Sequence, residues 1–561
     1  VKGSRTLAIS RTPTITRRTL LRAAVASGAA IAAGPALASC GDGGPGSRSS
    51  SGGTDSETVS LPSYVPVSNV PEPDLPGSEL GVQPGYFTAP TNLVKSVPSA
   101  PGSGEPLKAM VITYNPPAPN SQYIAAVNEE LNAEIDFDFV PDAEYETRFA
   151  AVSAGGDLPE LIQLPVWANL PRLADFLDAA CVDLSDKLSG DNVKKYPNLA
   201  AIPELSWRNA RINGRIYGVP KASNPFGRAT FYRKDLFEQR SIPMPTNADE
   251  FLEICQELTD RKEGRYAIGD TNTGAYGPFS LFLIRAMFNV PNLWRHDDSG
   301  LTYYIETDEF KESIAYTRTL WEAGVFHPDS PTMDGPTVND HYSTGRIFIH
   351  EGGNGGWLPQ IKNNIDHNPD FQTAAIFPFG HDGGEPTYWL SEGTFSFAAV
   401  TKTAEDRVDE MLGIMNYCAA PFGSTEDQLL NYGVEGVHHT MTDQGPSLTD
   451  LGNKEVYNSY RYLTASVQAL YYAGHEDDYT KPFHAWQQRI AEIGLPNPTI
   501  GYYSLSASEK KATLNQLVTD EVTNIVLGRK DVTALDDLPK TWASEGGDQV
   551  RREYEEAIEQ A

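Results

Sequence analysis

The sequence predicts an α/β fold built in more than one lobe, and two observations carry that prediction. From Leu107 onward, short apolar or alternating segments of strand type are interleaved with amphipathic segments of helical spacing. That order is the mark of a largely parallel sheet covered by helices. The stretch with this pattern, residues 105–561, is also too long for a single hydrophobic core to keep growing. All eight tryptophans of the chain lie within it, and no internal repeat is visible.

Each element follows in turn. Leu107–Thr113 (LKAMVIT) is an apolar strand, and Tyr123, Val127 and Leu131 then fall on one face of a helix. An alternating strand over 135–140, a helix over about 143–154 and a short strand over 160–164 complete the opening unit. Ligands bind beyond the carboxyl ends of strands in such sheets. This places Tyr114 and Asn115, after the first strand, and Trp167, after the third, at one rim; a core anchor under a loop is the other reading of Trp167. A long helix is predicted from Thr246, whose hydroxyl can cap it, with Phe251, Ile254, Cys255 and Leu258 as its buried stripe. Another spans about 307–323 and stops at Gly324. A strand over 346–350 leads through Glu351-Gly352-Gly353-Asn354-Gly355-Gly356-Trp357 into a helix reaching Ile361, and a further strand covers 394–400. Leu514, Leu517, Val518 and Ile525 stripe a helix over 508–527 closed by Gly528, and a charged helix over 548–560 ends the chain.

The first forty residues speak to compartment. Basic residues lead to Arg17-Arg18, a twin-arginine pattern, and a short apolar run over 23–33 follows. That run falls short of the ~20 residues a membrane-spanning helix needs, so it reads as the core of a signal peptide over 1–39. Leu37-Ala38-Ser39-Cys40 resembles a bacterial lipobox, in which Cys40 accepts a lipid that holds the protein on the membrane. Residues 40–104 are rich in Gly, Ser and Pro and are expected to be a disordered tether. The formal charge of the chain is −30; without residues 1–39 it is 38 basic against 74 acidic residues, or −36. A nucleic-acid partner is excluded by that sign. The same charge argues against an anionic polymer as the default ligand, although a local cleft can differ from the mean. Cys181, Cys255 and Cys418 have neither disulfide nor zinc spacing and are expected to be buried thiols.

Asn213-Gly214-Arg215-Ile216-Tyr217-Gly218-Val219-Pro220 resembles the NGK-x-YG-x-P motif of family 1 extracellular solute-binding proteins. Phe231-Tyr232-Arg233-Lys234-Asp235-Leu236-Phe237 and Pro245-Thr246 follow in the family's order. Tyr432-Gly433-Val434-Glu435-Gly436-Val437-His438-His439-Thr440, Ile525-Val526-Leu527-Gly528, and Trp542 before Gly546-Gly547-Asp548-Gln549 narrow the resemblance to the LplA-like lipoprotein subgroup. The resemblance implies a two-lobed periplasmic-binding-protein-like fold of type II, with a hinge and an interlobe cleft. Alongside it, no catalytic residue, cofactor or metal is expected of this sequence. The resemblance also implies a monomer that captures a carbohydrate, an oligosaccharide by preference, and delivers it to the transmembrane subunits of an ABC permease at the extracytoplasmic face. One lobe is expected to hold 105–227 and 378–431, the other 230–376 and 438–561, with crossings near 226–232, 377–379 and 432–438.

A sugar needs aromatic rings for its C–H face and planar polar groups for its hydroxyls. Relatives in this family carry a cleft-facing aromatic at the start of the helix after the glycine run, which nominates Trp357, with Asn354 and Gly355 beside it. A tight turn with a core tryptophan is the plainer reading of that run. Tyr388, Trp389 and Glu392 are expected to form the opposite wall, and Phe226 and Arg228 the hinge side. Trp294 and Trp486 are weaker candidates, while Trp321 and Trp542 read as packing residues. His438-His439 is no metal pair, since neighbours on a strand point to opposite faces. Residues 258–265 carry too many basic side chains for the calcium loop of some relatives. A polysaccharide-acting enzyme and a binder of peptides or other non-sugar solutes are the competing readings. The first lacks any nucleophile, zinc or phosphate-loop motif, and the second would call for a carboxylate or amine clamp, with Arg228 or Glu392 the obvious candidates.

Overall fold

The computed structural model describes residues 58–68, 70–114, 120–271, 279 and 282–560, all within the compact unit Ser56–Ala561. The twin-arginine signal, Cys40, the first part of the expected tether and Asn115 lie outside the described residues.

Leu107–Thr113 is buried apart from Lys108 and Ile135–Pro141 runs parallel beside it, Leu107 facing Ile135. Leu161–Pro165 flanks its other side, also parallel. Thr394–Val400 then pairs antiparallel with Leu161–Pro165, and Gly218–Ala222 antiparallel with Thr394–Val400. The sheet is therefore mixed, where strand–helix alternation alone predicts a parallel one. Two reversals restore the direction, so Gly218–Ala222 ends at the same edge as the first three strands. The amino end of Thr394–Val400 lies at that edge too.

A second sheet has Thr373–Ala375, Arg228–Arg233, Ile347–Gly353 and Tyr266–Gly269 in that order. Ile347–Gly353 is antiparallel to Arg228–Arg233 and parallel to Tyr266–Gly269. The helices Ala248–Leu258, Asp308–Ala323, Leu505–Val526 and Asp548–Glu559 supply side chains to its core. The cap of Ala248–Leu258 is Asn247, one residue later than expected; its side chain takes the N–H of Glu250, while the Thr246 hydroxyl bonds the Glu250 carboxylate. The predicted stop at Gly324 holds, with Gly324 left-handed at φ 67°. The three buried cysteines are free thiols, and burial raises the pKa of each, Cys181 and Cys418 to about 12.

The chain leaves the first core after Ala222, close to the expected boundary, while its two later passages fall beyond the expected ones. The first core takes residues up to Ala222 and then Phe397–Leu463, while Ile376, Phe379 and Trp389 belong to the second. Residues 438–463, expected in the second lobe, pack on the first. Glu455 accepts the N–H groups of Gln122 and Tyr123 and so caps the helix Gln122–Leu131 from 333 and 332 residues away in sequence. His438 takes the Val434 N–H on Nδ1, which leaves Nε2 as the donor to Glu455. Arg461, 2% exposed, pairs with buried Asp427 and donates to the carbonyls of Cys418 and Ala420. Nothing in local periodicity marks such contacts.

The segment expected to be a disordered tether is laid along the body from Thr58 onward. Val59 N–H bonds the Gly214 carbonyl, Val65 N–H that of Ala200, and Ser96 and Val97 N–H the Glu426 carboxylate. Between these anchors Val82 enters a third apolar cluster with Phe226, Trp357, Leu470 and Trp486. Composition missed this because the segment borrows its hydrogen bonds from the body, and its prolines lower the entropy lost on ordering.

Candidate functional site

The carboxyl edge of the first sheet gathers aromatic side chains. Tyr114 follows the first strand and Trp167 the third; they are 52% and 42% exposed. Trp167 meets Phe395 edge-on at 6.3 Å, and Phe395 stacks with Tyr462 at 5.9 Å. The Tyr457 hydroxyl accepts the Tyr114 N–H at 3.2 Å, and its ring lies 6.2 Å from that of Tyr462. Lys221, next to last in Gly218–Ala222, sets its Nζ 5.3 Å above Phe395 and 5.9 Å above Tyr462. Its pKa falls to about 8, first through burial and then through the positive charge of Arg461.

The matching edge of the second sheet gathers charge. Glu351 closes in on Arg228 at 3.1 Å with its carboxylate 4% exposed, and accepts the Phe282 N–H. The Arg228 guanidinium also sits 5.5 Å from the Phe282 ring. Asp270, one residue beyond Tyr266–Gly269, accepts the N–H groups of Thr271 and Phe279, each at 2.7 Å. Burial, and then the Glu351 charge, push Asp270 up to about 7; burial likewise raises Glu351, with Arg228 opposing. Against this edge lies a cavity of about 110 Å³, whose lining includes Gly227, Arg228, Phe282, Asn292, Trp389 and Glu392. The cavity touches two of the passages between the cores, at 227–228 and 389–392, and Phe395 of the aromatic rim follows Glu392 by three residues.

The raised Asp270 fixes a sign. The folded protein holds this proton more tightly than the unfolded chain, whose aspartates titrate near pH ~3.9. The group's contribution to stability therefore falls as pH rises from about 3.9 towards 7. Carboxyl-carbon NMR is expected to give Asp270 a midpoint raised to about 7, and Glu351→Gln to lower it by removing the second cause. An unchanged midpoint in that variant would remove Glu351 from the account.

Of the residues nominated from sequence, the structure brings Arg228, Trp389 and Glu392 to one cavity. Tyr114 and Trp167 stand exposed at the other rim. Trp357 is corrected: it is 1% exposed, stacked on Phe483 at 4.9 Å and edge-on to Phe231 at 5.9 Å, a core residue held by rings on neighbouring elements. Phe226 is likewise buried, against Trp486. Asn354 donates inward to Asn224 and the Phe226 carbonyl, securing the passage between cores, while Gly355 is exposed. Tyr388 joins the third cluster beside Trp357 and Trp389 the second core, because the chain has not yet crossed back to the first. Sequence reading missed Lys221, Phe395, Tyr457, Phe282 and Asp270. A lysine inside an otherwise apolar strand (GVPKA) and an aspartate directly after one (YAIGD) were the available signals.

The family profile of bacterial extracellular solute-binding proteins matches residues 122–429. The polygalacturonan/rhamnogalacturonan-binding protein YtcQ of Bacillus subtilis (strain 168) is 25% identical over 474 residues, covering 82% of this chain and 93% of its own. The lipoprotein LipO of the same organism is 22% identical over 475 residues, covering 81% and 92%. Among solved structures, an HMO-binding, ABC-transporter-associated solute-binding protein from Bifidobacterium longum infantis superposes with a TM-score of 0.61 at 13% identity. It covers 82% of this chain and 99% of its own. The shared fold is the two-lobed one of solute-binding proteins.

Proposed function

The chain belongs to the family of bacterial extracellular solute-binding proteins, and from that membership we propose that it captures a carbohydrate between its two lobes and hands it to an ABC permease. The exposed pair Tyr114 and Trp167 at the carboxyl edge of the first sheet carries the reading. Open rings at a strand-end rim suit the C–H face of a sugar, and the Arg228–Glu351 pair and Glu392 across the passage offer partners for hydroxyls. The names of YtcQ and of the Bifidobacterium protein describe carbohydrate-polymer and HMO binding, which supports the same class of ligand here. Delivery requires the lobes to close about the passages between them, a hinge motion that a permease can sense. A lipid on Cys40 would keep the protein at the outer face of the membrane, as the lipoprotein LipO suggests.

A thermal-shift screen of residues 56–561 against oligosaccharides, with peptides alongside, tests this. A ligand at 100 times its Kd is expected to stabilise the native state by about 2.7 kcal/mol. Trp167→Ala should weaken a sugar hit about tenfold, or ~1.4 kcal/mol, and leave the ligand-free melting temperature unmoved because the side chain is exposed. Stabilisation by peptides alone would overturn the carbohydrate reading.

A further inference from the structure

Lys221 poses a physical problem that the packing around it leaves open. Its ammonium is half-buried above Phe395 and Tyr462. Two rings recover only part of what a cation loses on leaving water, and its pKa accordingly falls to about 8. Both influences on it lower that value, and neither is a carboxylate. The charged group that faces it from the neighbouring helix Ser459–Leu463 is Arg461, already spent on Asp427 and two backbone carbonyls. The phenol of Tyr462, on that same helix, lies beneath it, and the Tyr457 ring stands 6.2 Å from that of Tyr462. With no carboxylate partner among the described residues, the cation thus sits at the strand ends where ligands bind in this class of sheet, over the Phe395 ring that Trp167 meets edge-on.

We infer that this edge of the first lobe receives a sugar unit bearing a carboxylate, its acid group paired with Lys221 Nζ and its ring laid against Trp167. The inference rests on the carbohydrate reading and narrows it to uronic-acid oligosaccharides. A single cation suits a carboxylate's single charge better than a phosphate's two. A net charge of −36 outside residues 1–39 repels anions at long range. An acidic ligand is therefore held where a local cation without a carboxylate partner among the described residues waits for it. A peptide's terminal carboxylate shares this chemistry and is separated from a uronate by the test.

Titration calorimetry of residues 56–561 with oligogalacturonates and oligoglucuronates, their neutral counterparts and short peptides decides it. The acidic oligosaccharide is expected to bind at least tenfold more tightly than its neutral counterpart. Lys221→Met should erase that preference and leave neutral binding in place; Lys221→Arg should keep part of it. Affinity of the unaltered protein for the acidic ligand should fall as pH rises past about 8, and that fall should vanish in Lys221→Met. Equal affinity for acidic and neutral sugars would overturn the inference and leave the carbohydrate reading standing. Binding of peptides and of no sugar would overturn both. Melting temperatures of the two variants, compared beforehand, separate lost folding from lost binding, and Lys221→Arg carries the test if Lys221→Met fails to fold.

Discussion

Replacing Trp357 with alanine is expected to cost about 3–5 kcal/mol of stability and to leave ligand affinity within a few-fold of the unaltered protein. The indole is 1% exposed and fills the third apolar cluster, stacked on Phe483 and edge-on to Phe231. Truncation to Cβ leaves a cavity the size of an aromatic ring. Its neighbours come from the strand Arg228–Arg233 and the helix Lys481–Glu492, so they cannot close in without moving both elements. Trp357→Phe keeps one ring of the stack and should lose less. Urea unfolding measures the stability and calorimetry the affinity. A variant with an unmoved unfolding midpoint and lost binding would return Trp357 to the cleft wall that the glycine run before it suggests.

A chain that begins at residue 105 is expected to be less stable than one that begins at residue 56 by several kcal/mol. Gln83 explains much of the difference. Its side chain accepts from Gln487 Nε2 and Asn224 Nδ2, each at 2.8 Å, and donates to the Gln468 carbonyl at 2.7 Å. Its N–H donates to Gln487 at 2.9 Å. Removing the segment strands these groups, and buried Glu426 loses the N–H groups of Ser96 and Val97. Each polar group left buried without a partner costs about 1–3 kcal/mol. Gln83→Ala in the longer chain should show one such increment. Equal melting temperatures for the two chains would mean that residues 58–104 rest on the body without stabilising it.

The sequence alone determined the elements that local chemistry dictates. The apolar strand Leu107–Thr113, the stripe of Ala248–Leu258 and the stop at Gly324 are legible because spacing and backbone preference act within a few residues. Motif order along 213–549 likewise sufficed for the family and its two-lobed fold. The strand-end rule also placed Tyr114 and Trp167 at a rim where both stand exposed, since it needs only the direction of the strands. Tertiary structure alone decided the rest. Trp357 and Trp167 look alike in sequence, each after a strand, yet Phe483, more than a hundred residues away, buries the first and nothing comparable covers the second. Lys221 acquires its meaning from Phe395, Tyr462 and Arg461, which antiparallel pairing and a distant helix bring to it. Burial and charge are set by what arrives from elsewhere in the chain, and local periodicity holds no record of that arrival.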